Sequence, residues 1–298
     1  MSLQPEWESL IREFKPGFQE IKFIEHGYDN VIAIVDRQLV FRFPRNPAAG
    51  CRLKFESALL KHLGGKLPHV PVVIYLNKDP FYAIQNRLPG QHLTRTQINN
   101  LSKANQQSIV RELVDFIFAY NHLISPEQLL EMRRQSGLDS QAIDEPWPAY
   151  LKKVLGETNY AGQPELQKLA RRCYQKWLEM VASDPLPAMS LHDDLHLDNL
   201  LFQSGKISGI LDFGDSTVGT ATEEMRNFYS LKTNFLRQAI KLYAGRTGQV
   251  VDPEKVRIWA VTTELASFCN RLAKNQTAHP GFKRTRHNLR QWIPDFPL

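Results

Sequence analysis

Short apolar runs separated by polar turns fill the first third of the chain. Residues 21–25 carry Ile21, Phe23 and Ile24, and two more such runs follow at residues 31–36 and 39–43. The turns between them, at residues 26–30 and at Gln38, are polar, so the three runs predict an antiparallel meander. Pro44-Arg45-Asn46-Pro47 ends it. Residues 52–63 set Phe55, Leu59, Leu60 and Leu63 on one helical face, and residues 70–76 and 81–85 read as two more strands. Residues 7–14 suit a short helix ahead of the sheet. One sheet with an inserted helix predicts a small α+β lobe.

Asn86-Arg87-Leu88-Pro89-Gly90 breaks the pattern in the manner of a hinge. Beyond it the apolar period becomes helical. Residues 107–124 carry Ile109, Leu113, Phe116, Ile117, Tyr120 and Ile124 as a stripe. Residues 126–162, punctuated by Gly137, Pro146 and Pro148, predict a less regular segment. Residues 164–182 and 223–243 predict helices. Asp252-Pro253 supplies an N-cap and a first-turn proline for another, reaching about Lys274. The expected architecture is therefore α+β and two-lobed. An antiparallel-sheet lobe with one helix spans residues 1–88, and a larger, mostly helical lobe spans 89–298.

Composition narrows the class. The chain has 298 residues, 42 % hydrophobic and 23 % charged, which is ordinary for a soluble protein that buries a core without disulfides. Cys51, Cys173 and Cys269 are odd in number and far apart, which predicts reduced, buried thiols and a cytoplasmic protein. No apolar run approaches the ~18 residues of a membrane span, and the charged N-terminal stretch is not a signal peptide. The net charge is +6, with 13 Lys/Arg against 4 Asp/Glu between residues 225 and 298. Lys283, Arg284, Arg286 and Arg290 lack interleaved aromatics, so a solvated basic face is expected there rather than a nucleic-acid site. Nothing in the sequence sets an oligomeric state.

The chemistry concentrates in residues 191–215, L-H-D-D-L-H-L-D-N-L-L-F-Q-S-G-K-I-S-G-I-L-D-F-G-D. A loop holds His192, Asp194 and Asn199, a short hairpin follows, and its return strand ends at Asp212. The hairpin should bring Asp194, Asn199 and Asp212 together. Phosphoryl transfer needs that set. The Asp212 carboxylate and the Asn199 amide oxygen are hard ligands for Mg²⁺. Asp194 is then placed to accept the proton of an attacking hydroxyl. A zinc site on His192, Asp194 and His196 is the competing reading, but it needs a further, distant ligand.

The first lobe should hold the nucleotide. Gly27 and Asn30 lie in the turn where a phosphate-cradling loop is expected, although only one glycine is present. Arg42 lies between Phe41 and Phe43, so strand alternation points it away from those aromatics. It can neutralise phosphate if a carboxylate holds it, and Glu56 on the next helix is the candidate. Arg45 is the alternative cation.

On these residues the chain resembles the aminoglycoside phosphotransferase family, within the group that includes choline kinases and protein kinases. H-D-D-L-H-L-D-N (His192 to Asn199) and I-L-D-F-G-D (Ile210 to Asp215) carry the resemblance. G-Y-D-N (Gly27 to Asn30), F-R-F-P-R (Phe41 to Arg45) and R-L-P-G (Arg87 to Gly90) extend it. G-Y-D-N and F-R-F-P-R are similar to the branch acting on the 2″-hydroxyl. The resemblance implies a two-lobed kinase fold, ATP or GTP as donor, Mg²⁺, a small hydroxyl-bearing acceptor and a role in antibiotic resistance. It implies Asp194 as the catalytic aspartate, Asn199 and Asp212 on Mg²⁺, and His192 bracing the loop. It also implies that the hinge backbone from Gln85 through Asn86 to Leu88 pairs with the purine. Two departures stand near the expected acceptor site. Asp193 replaces a residue that is usually small, and Gly219-Thr220-Ala221-Thr222-Glu223-Glu224 replaces G-D-P-x-x-D. The helix after Asp215 begins with Glu223 and Glu224 but continues through Arg226, Lys232, Arg237 and Lys241. Asp139, Asp144, Glu145 and Glu157 are the acids available from the segment before it. This charge map predicts an acceptor less cationic than an aminoglycoside. A nucleotide-binding protein of the same fold with little or no activity is the alternative.

Overall fold

The computed structural model describes residues 4–25, 27, 29–139, 146–160, 162–231 and 233–298. Of the residues singled out above, His26, Tyr28, Asp144, Glu145 and Lys232 lie outside these.

Helix α1 (Gln4–Phe14) precedes strands β1 (Ile21–Ile24), β2 (Asn30–Val35) and β3 (Leu39–Pro44). Helix α2 (Pro47–Leu63) follows, then β4 (Val73–Lys78) and β5 (Phe81–Asn86). The five strands form one antiparallel sheet in the order β1-β2-β3-β5-β4. Its alternation is that read from the sequence. Phe41 and Phe43 are buried on one face with Val31, Ala33, Val35, Tyr82 and Ile84, and Ile11 of α1 covers them. Trp7 stacks on Phe43 at 5.4 Å and Phe14 meets Phe41 edge-on at 5.8 Å. Arg42 is left to the opposite face, toward α2.

Helix α2 begins at Pro47, five residues before the expected start. Asn46 caps it, its side chain accepting from Ala49 N at 2.9 Å, and Pro47 sits in the first turn without needing a donor. Pro44 thus ends β3 as read, while Pro47 starts the helix.

Beyond the sheet come α3 (Arg95–Asn100), α4 (Lys103–Leu123) and α5 (Pro126–Gln135). Residues 126–135 were expected to be irregular. They are helical because Ser125 and Gln128 form a reciprocal capping box and Pro126 takes the first turn. Helix α6 (Trp147–Leu151) runs into a π-helical turn, Lys152–Glu157, ahead of α7 (Pro164–Ala182). Strands β6 (Met189–Leu191), β7 (Leu200–Gln203), β8 (Lys206–Ile210) and β9 (Thr217–Gly219) follow. The β7–β8 hairpin closes at Ser204 and Gly205, both at positive φ (52° and 77°), the twist that tight hairpin turns require.

The helix expected over residues 223–243 is interrupted at Met225: among the described residues α8 (Ala221–Glu224) precedes that turn, and the helical stretches α9 (Arg226–Leu231) and α10 (Thr233–Thr247) follow it. Helix α11 (Pro253–Ala273) starts as read, with the Asp252 side chain accepting from Glu254 N at 2.8 Å. The basic tail is a helix, α12 (Pro280–Trp292). It buries Phe282, Thr285, Asn288 and Leu289 and exposes Lys283, Arg284, Arg286 and Arg290.

By contact the chain divides into two compact units, residues 1–143 with 190–218, and residues 144–189 with 219–298. The boundary expected after residue 88 thus falls inside the first unit. Residues 89–91 are fastened there to the β7–β8 hairpin: Gln91 and Phe202 exchange both backbone hydrogen bonds, at 3.0 and 2.8 Å, and Ser208 Oγ donates to Pro89 O at 2.7 Å. Gly90 has no room for a side chain at that crossing. It sits at φ +106°, and a Cβ would fall 2.7 Å from Phe202 O. The second unit has its own core, in which Leu166, Trp177, Leu265, Phe268 and Leu289 are buried and Trp177 meets Trp259 edge-on at 5.3 Å.

Candidate active site

The apolar stripe of α4 seats the loop that holds His192 and Asp194. Phe116 and Tyr120 pack against Phe213, with centroids 6.1 and 6.2 Å apart, and Phe213 lies edge-on to His192 at 4.5 Å. His192 is buried among these rings. Its Nδ1 accepts from Asp194 N at 3.3 Å, which leaves Nε2–H to donate to Leu211 O at 3.1 Å. The imidazole therefore ties the loop holding Asp194 to the strand end holding Asp212.

Burial pushes the His192 pKa down to about 4, against the pull of the Asp212 carboxylate. In the unfolded chain the imidazole protonates near pH ~6.5, so between these values the unfolded state holds the extra proton. Stability is therefore complete above pH ~6.5 and falls as the pH drops toward 4, by about 2–3 kcal/mol at pH 4.5. Urea unfolding of wild type and His192→Gln at pH 7 and pH 4.5 checks this. The variant should lose that part of the pH dependence, and equal slopes in the two proteins would count against it.

Asn199, in a 3₁₀ turn (Leu197–Asn199), donates from Nδ2 to Asp194 Oδ2 at 2.7 Å and to Asp194 O at 2.9 Å. With the amide nitrogen so engaged, Oδ1 is the atom left to ligate a cation. Asn199 O accepts from Leu211 N at 2.9 Å, so the two motif segments are stitched side by side. Asp194 keeps 28 % of its side-chain surface exposed, with His196 Nε2 3.3 Å from its Oδ1. Asp193, the departure from the family pattern, sits at φ +67°. Glycine takes that left-handed conformation without the Cβ penalty, and aspartate is among the residues that tolerate it.

Asp212 also stands in the left-handed region, at φ +63°. Its side chain is half exposed, with Arg42 Nη2 3.8 Å from Oδ1. Arg42 Nη1 donates to Glu56 Oε1, and Glu56 is 1 % exposed. The pair expected from strand alternation is thus made inside the protein. Burial works against the Arg42 charge, but the Glu56 and then the Asp212 carboxylates outweigh it and hold its pKa above the usual arginine value. Burial raises the Glu56 pKa, opposed by Arg42.

Removing one member of such a pair leaves the other charge buried alone, so Glu56→Ala should destabilise by about 3–5 kcal/mol. Arg42→Ala should raise the nucleotide KM, Glu56→Ala more mildly, and the double variant should recover part of the stability lost in Glu56→Ala. Chemical denaturation with nucleotide kinetics reads both effects. Additive stability losses would show that the two side chains do not act as a pair.

Three residues without an assigned role in the sequence reading join this group. Arg52 of α2 reaches Asp29 Oδ2 at 3.4 Å and Asp215 Oδ1 at 3.6 Å, linking the β1–β2 turn to the end of the D-F-G-D segment. Asp215 was quoted there only as part of the motif. Its carboxyl is raised well above the usual range, first by desolvation and then by the Asp194 and Asp212 charges. Nothing in the sequence marks Arg52, because a basic residue on a helix near its start has no pattern of its own.

Other sequence candidates are placed differently. Asn30 is not in the turn. It is the first residue of β2, buried opposite Pro44. Gly27 is exposed, and Arg45 Nε donates to its carbonyl at 3.0 Å. Arg45 also donates to Glu25 O, so the alternative cation fastens the turn through backbone carbonyls. Asn86 ends β5, where its side-chain oxygen accepts from Val72 N at 2.6 Å. Leu88 is half-buried, and among the described residues no hydrogen bond takes up its backbone.

The donor set fits a hard divalent cation. Asp194, Asp212 and Asp215 feel one another's charge strongly enough to raise Asp215, and a cation would relieve that excess. Among the described residues no three His, Cys, Asp or Glu side chains are grouped to hold a metal by themselves, so the zinc reading has no cluster. A half-exposed aspartate beside a buried Arg–Glu pair, a second aspartate hydrogen-bonded to an asparagine, and a five-stranded sheet with its helix α2 define a kinase-like α+β fold.

The comparisons place it within that class. The chain belongs to the phosphotransferase enzyme family known as APH, whose family model matches residues 20–279, and it is a phosphotransferase. Its fold is similar to that of the GDP and kanamycin complex of APH(2″)-IIIa, at TM-score 0.78 and 17 % identity, covering 98 % of each chain. The streptomycin-ATP-APH(2″)-IIa ternary complex is similar at TM-score 0.67 and 18 % identity, covering 98 % of this chain and 97 % of that one. A thermostable mutant of APH(4)-Ia with ADP and hygromycin B is similar at TM-score 0.63 and 15 % identity, covering 96 % and 97 %. A search of curated proteins by sequence found no match. Among the described residues no helix is long and apolar enough to cross a membrane.

Proposed function

We propose that this phosphotransferase moves the γ-phosphoryl group of ATP or GTP to a hydroxyl of a small acceptor. The observation that carries the reading is the Asn199 amide. By donating to Asp194 it orients the carboxylate and turns its own oxygen to the side that a metal ion would use. Asp194 is the general base, accepting the hydroxyl proton as the oxygen attacks phosphorus. Asn199 and Asp212 would hold Mg²⁺, which would neutralise phosphate charge. Arg42, fixed by Glu56, meets the α- and β-phosphates. His192 braces Asp194 through its backbone N–H. The Leu88 backbone supplies hydrogen-bonding groups for the purine. The relatives bind GDP, ATP or ADP together with aminoglycosides, which supports a nucleotide donor and an aminoglycoside-like acceptor class.

The charges of the second unit favour an acceptor with few ammonium groups. Four of its carboxylates, Glu157, Glu165, Asp184 and Glu254, already have cationic partners. Lys152 lies 3.3 Å from Glu157, Lys168 2.8 Å from Glu165, and Lys255 3.9 Å from Asp184. In the first unit Asp139 lies 3.4 Å from Arg133. A polycation would need carboxylates free to desolvate with each ammonium. Phosphate transfer to a panel of hydroxyl acceptors, with ATP and with GTP, tests the reading. Kanamycin- and gentamicin-type acceptors should turn over weakly beside a less cationic one. A micromolar KM with efficient turnover on either would overturn the charge argument. Nucleotide binding without transfer to any acceptor would overturn the enzymatic reading.

A further inference from the structure

The second unit contains a concavity of its own, of about 190 Å³, between α7, α11 and the end of α12. Its lining divides by chemistry. Leu169, Ile258, Val261, Trp292 and Ile293 make an apolar floor, Arg172, Lys176 and Arg257 stand around it, and among the described residues no carboxylate lines it. Arg172 and Lys176 are four residues apart on α7, so they project one turn from each other on the same face. Arg257 comes from α11. Glu254, one turn earlier, holds its guanidinium through hydrogen bonds of 2.8 and 2.7 Å. One carboxylate thus serves three cations, and among the described residues neither Arg172 nor Lys176 forms an ion pair.

Two further observations show that these charges converge instead of decorating a convex surface. Cys173 lines the same cavity between Arg172 and Lys176, half-buried. Burial pushes its thiol up while Arg172, Lys176 and Arg257 all pull it down, so the three fields meet at one point. Trp292 is half-buried, and Tyr229 meets it edge-on at 5.0 Å, so the largest floor residue has a partner holding it in place. None of these residues belongs to the phosphoryl-transfer group of the first unit.

We propose that this cavity binds a small organic anion, a carboxylate or phosphate carried on a compact apolar group. The anionic end meets Arg172 and Lys176, with Arg257, whose Nε and Nη2 already serve Glu254, adding its charge beside them. The apolar part lies on Val261 and Trp292. The size agrees, because an apolar cavity of about 150 Å³ accepts benzene, whereas drug-sized ligands use about 300–1,000 Å³. A nucleotide or an oligosaccharide is too large, and a polyamine is repelled. Because Arg172 and Lys176 are exposed, binding should weaken as salt is raised.

The test is calorimetric titration of the full chain, without nucleotide or acceptor, using phenyl phosphate, benzoate, inorganic phosphate and benzyl alcohol. Phenyl phosphate or benzoate should bind saturably, and whichever binds tighter identifies the anionic end. Inorganic phosphate and benzyl alcohol, each lacking half of the ligand, should bind at least about tenfold more weakly. R172Q/K176Q, which changes only exposed side chains, should lose at least about tenfold in affinity while keeping its circular-dichroism spectrum. Bound ligand should also slow alkylation of Cys173 by iodoacetamide relative to Cys51, read by peptide mass spectrometry. The proposal is overturned if neither aromatic anion binds, if inorganic phosphate binds equally well, if the double variant binds normally, or if Cys173 is not protected. Because no phosphoryl transfer is measured, none of these outcomes depends on the proposed reaction.

Discussion

Asp194→Ala should lower kcat by about 10³-fold or more while leaving nucleotide affinity nearly unchanged. A positioned general base contributes roughly 10²–10⁴ to rate. His192 has its Nδ1 occupied by Asp194 N, and its buried ring is not exposed to an acceptor. His196 Nε2 lies 3.3 Å from Asp194 Oδ1. Asp194→Asn is the more telling variant. It retains an oxygen that can accept from Asn199 Nδ2, so the loop should keep its shape while basicity is lost. Both variants should bind nucleotide with near-normal dissociation constants. Steady-state turnover with the best acceptor, set beside direct nucleotide titration, separates the two effects. Near-normal transfer in Asp194→Asn would end the assignment of this residue as base.

Asp212→Asn should fail differently, losing Mg²⁺-dependent nucleotide affinity as well as turnover. Asparagine is the informative replacement because residue 212 sits at φ +63°, a conformation that Asn tolerates and most other residues do not. The substitution removes a charge without straining the loop. It takes away the proposed metal ligand and also the second carboxylate near Arg42, 3.8 Å away. Metal coordination contributes several kcal/mol in such transfers, so kcat/KM should fall by about 10²–10³-fold. The Mg²⁺ concentration for half-maximal rate should rise as well. Nucleotide titration at several Mg²⁺ concentrations reads this directly. If the Mg²⁺ dependence of Asp212→Asn matched that of the wild type, the metal would have to be held elsewhere.

Much of this arrangement was legible from local pattern. The alternation Phe41-Arg42-Phe43 determines that two aromatics face one way and a cation the other, whatever the surrounding fold. The Ser204-Gly205 turn determines a tight hairpin, and a tight hairpin brings the Asn199 end of one strand near the Asp212 end of the next. Asp252-Pro253 determines a helix start. Each of these follows from backbone sterics over a few residues, so sequence alone is sufficient. Chain breaks were harder to read. Asn46-Pro47 and Ser125-Pro126 read equally well as ends of one element or beginnings of another, because proline stops a helix behind it and starts one ahead.

The sequence also determined the identity of the chemical groups, since H-x-D-L-x-x-x-N and D-F-G lie within one hairpin of each other. Tertiary structure decided what those groups feel. The neutral state of His192 comes from rings of α4 and Phe213 closing around it, residues separated from it in sequence by up to about 76 positions. The raised Asp215 carboxyl comes from crowding with Asp194 and Asp212. Arg52 acquires its place only because α2 packs beside the D-F-G-D turn, and Arg45 is diverted to carbonyls of the β1–β2 turn by the register of β2 on β3. The cavity ringed by Arg172, Lys176 and Arg257 needs three helices at once. Charge type is a property of the residue, but field, burial and pairing depend on groups far away in the chain, and only packing brings those together.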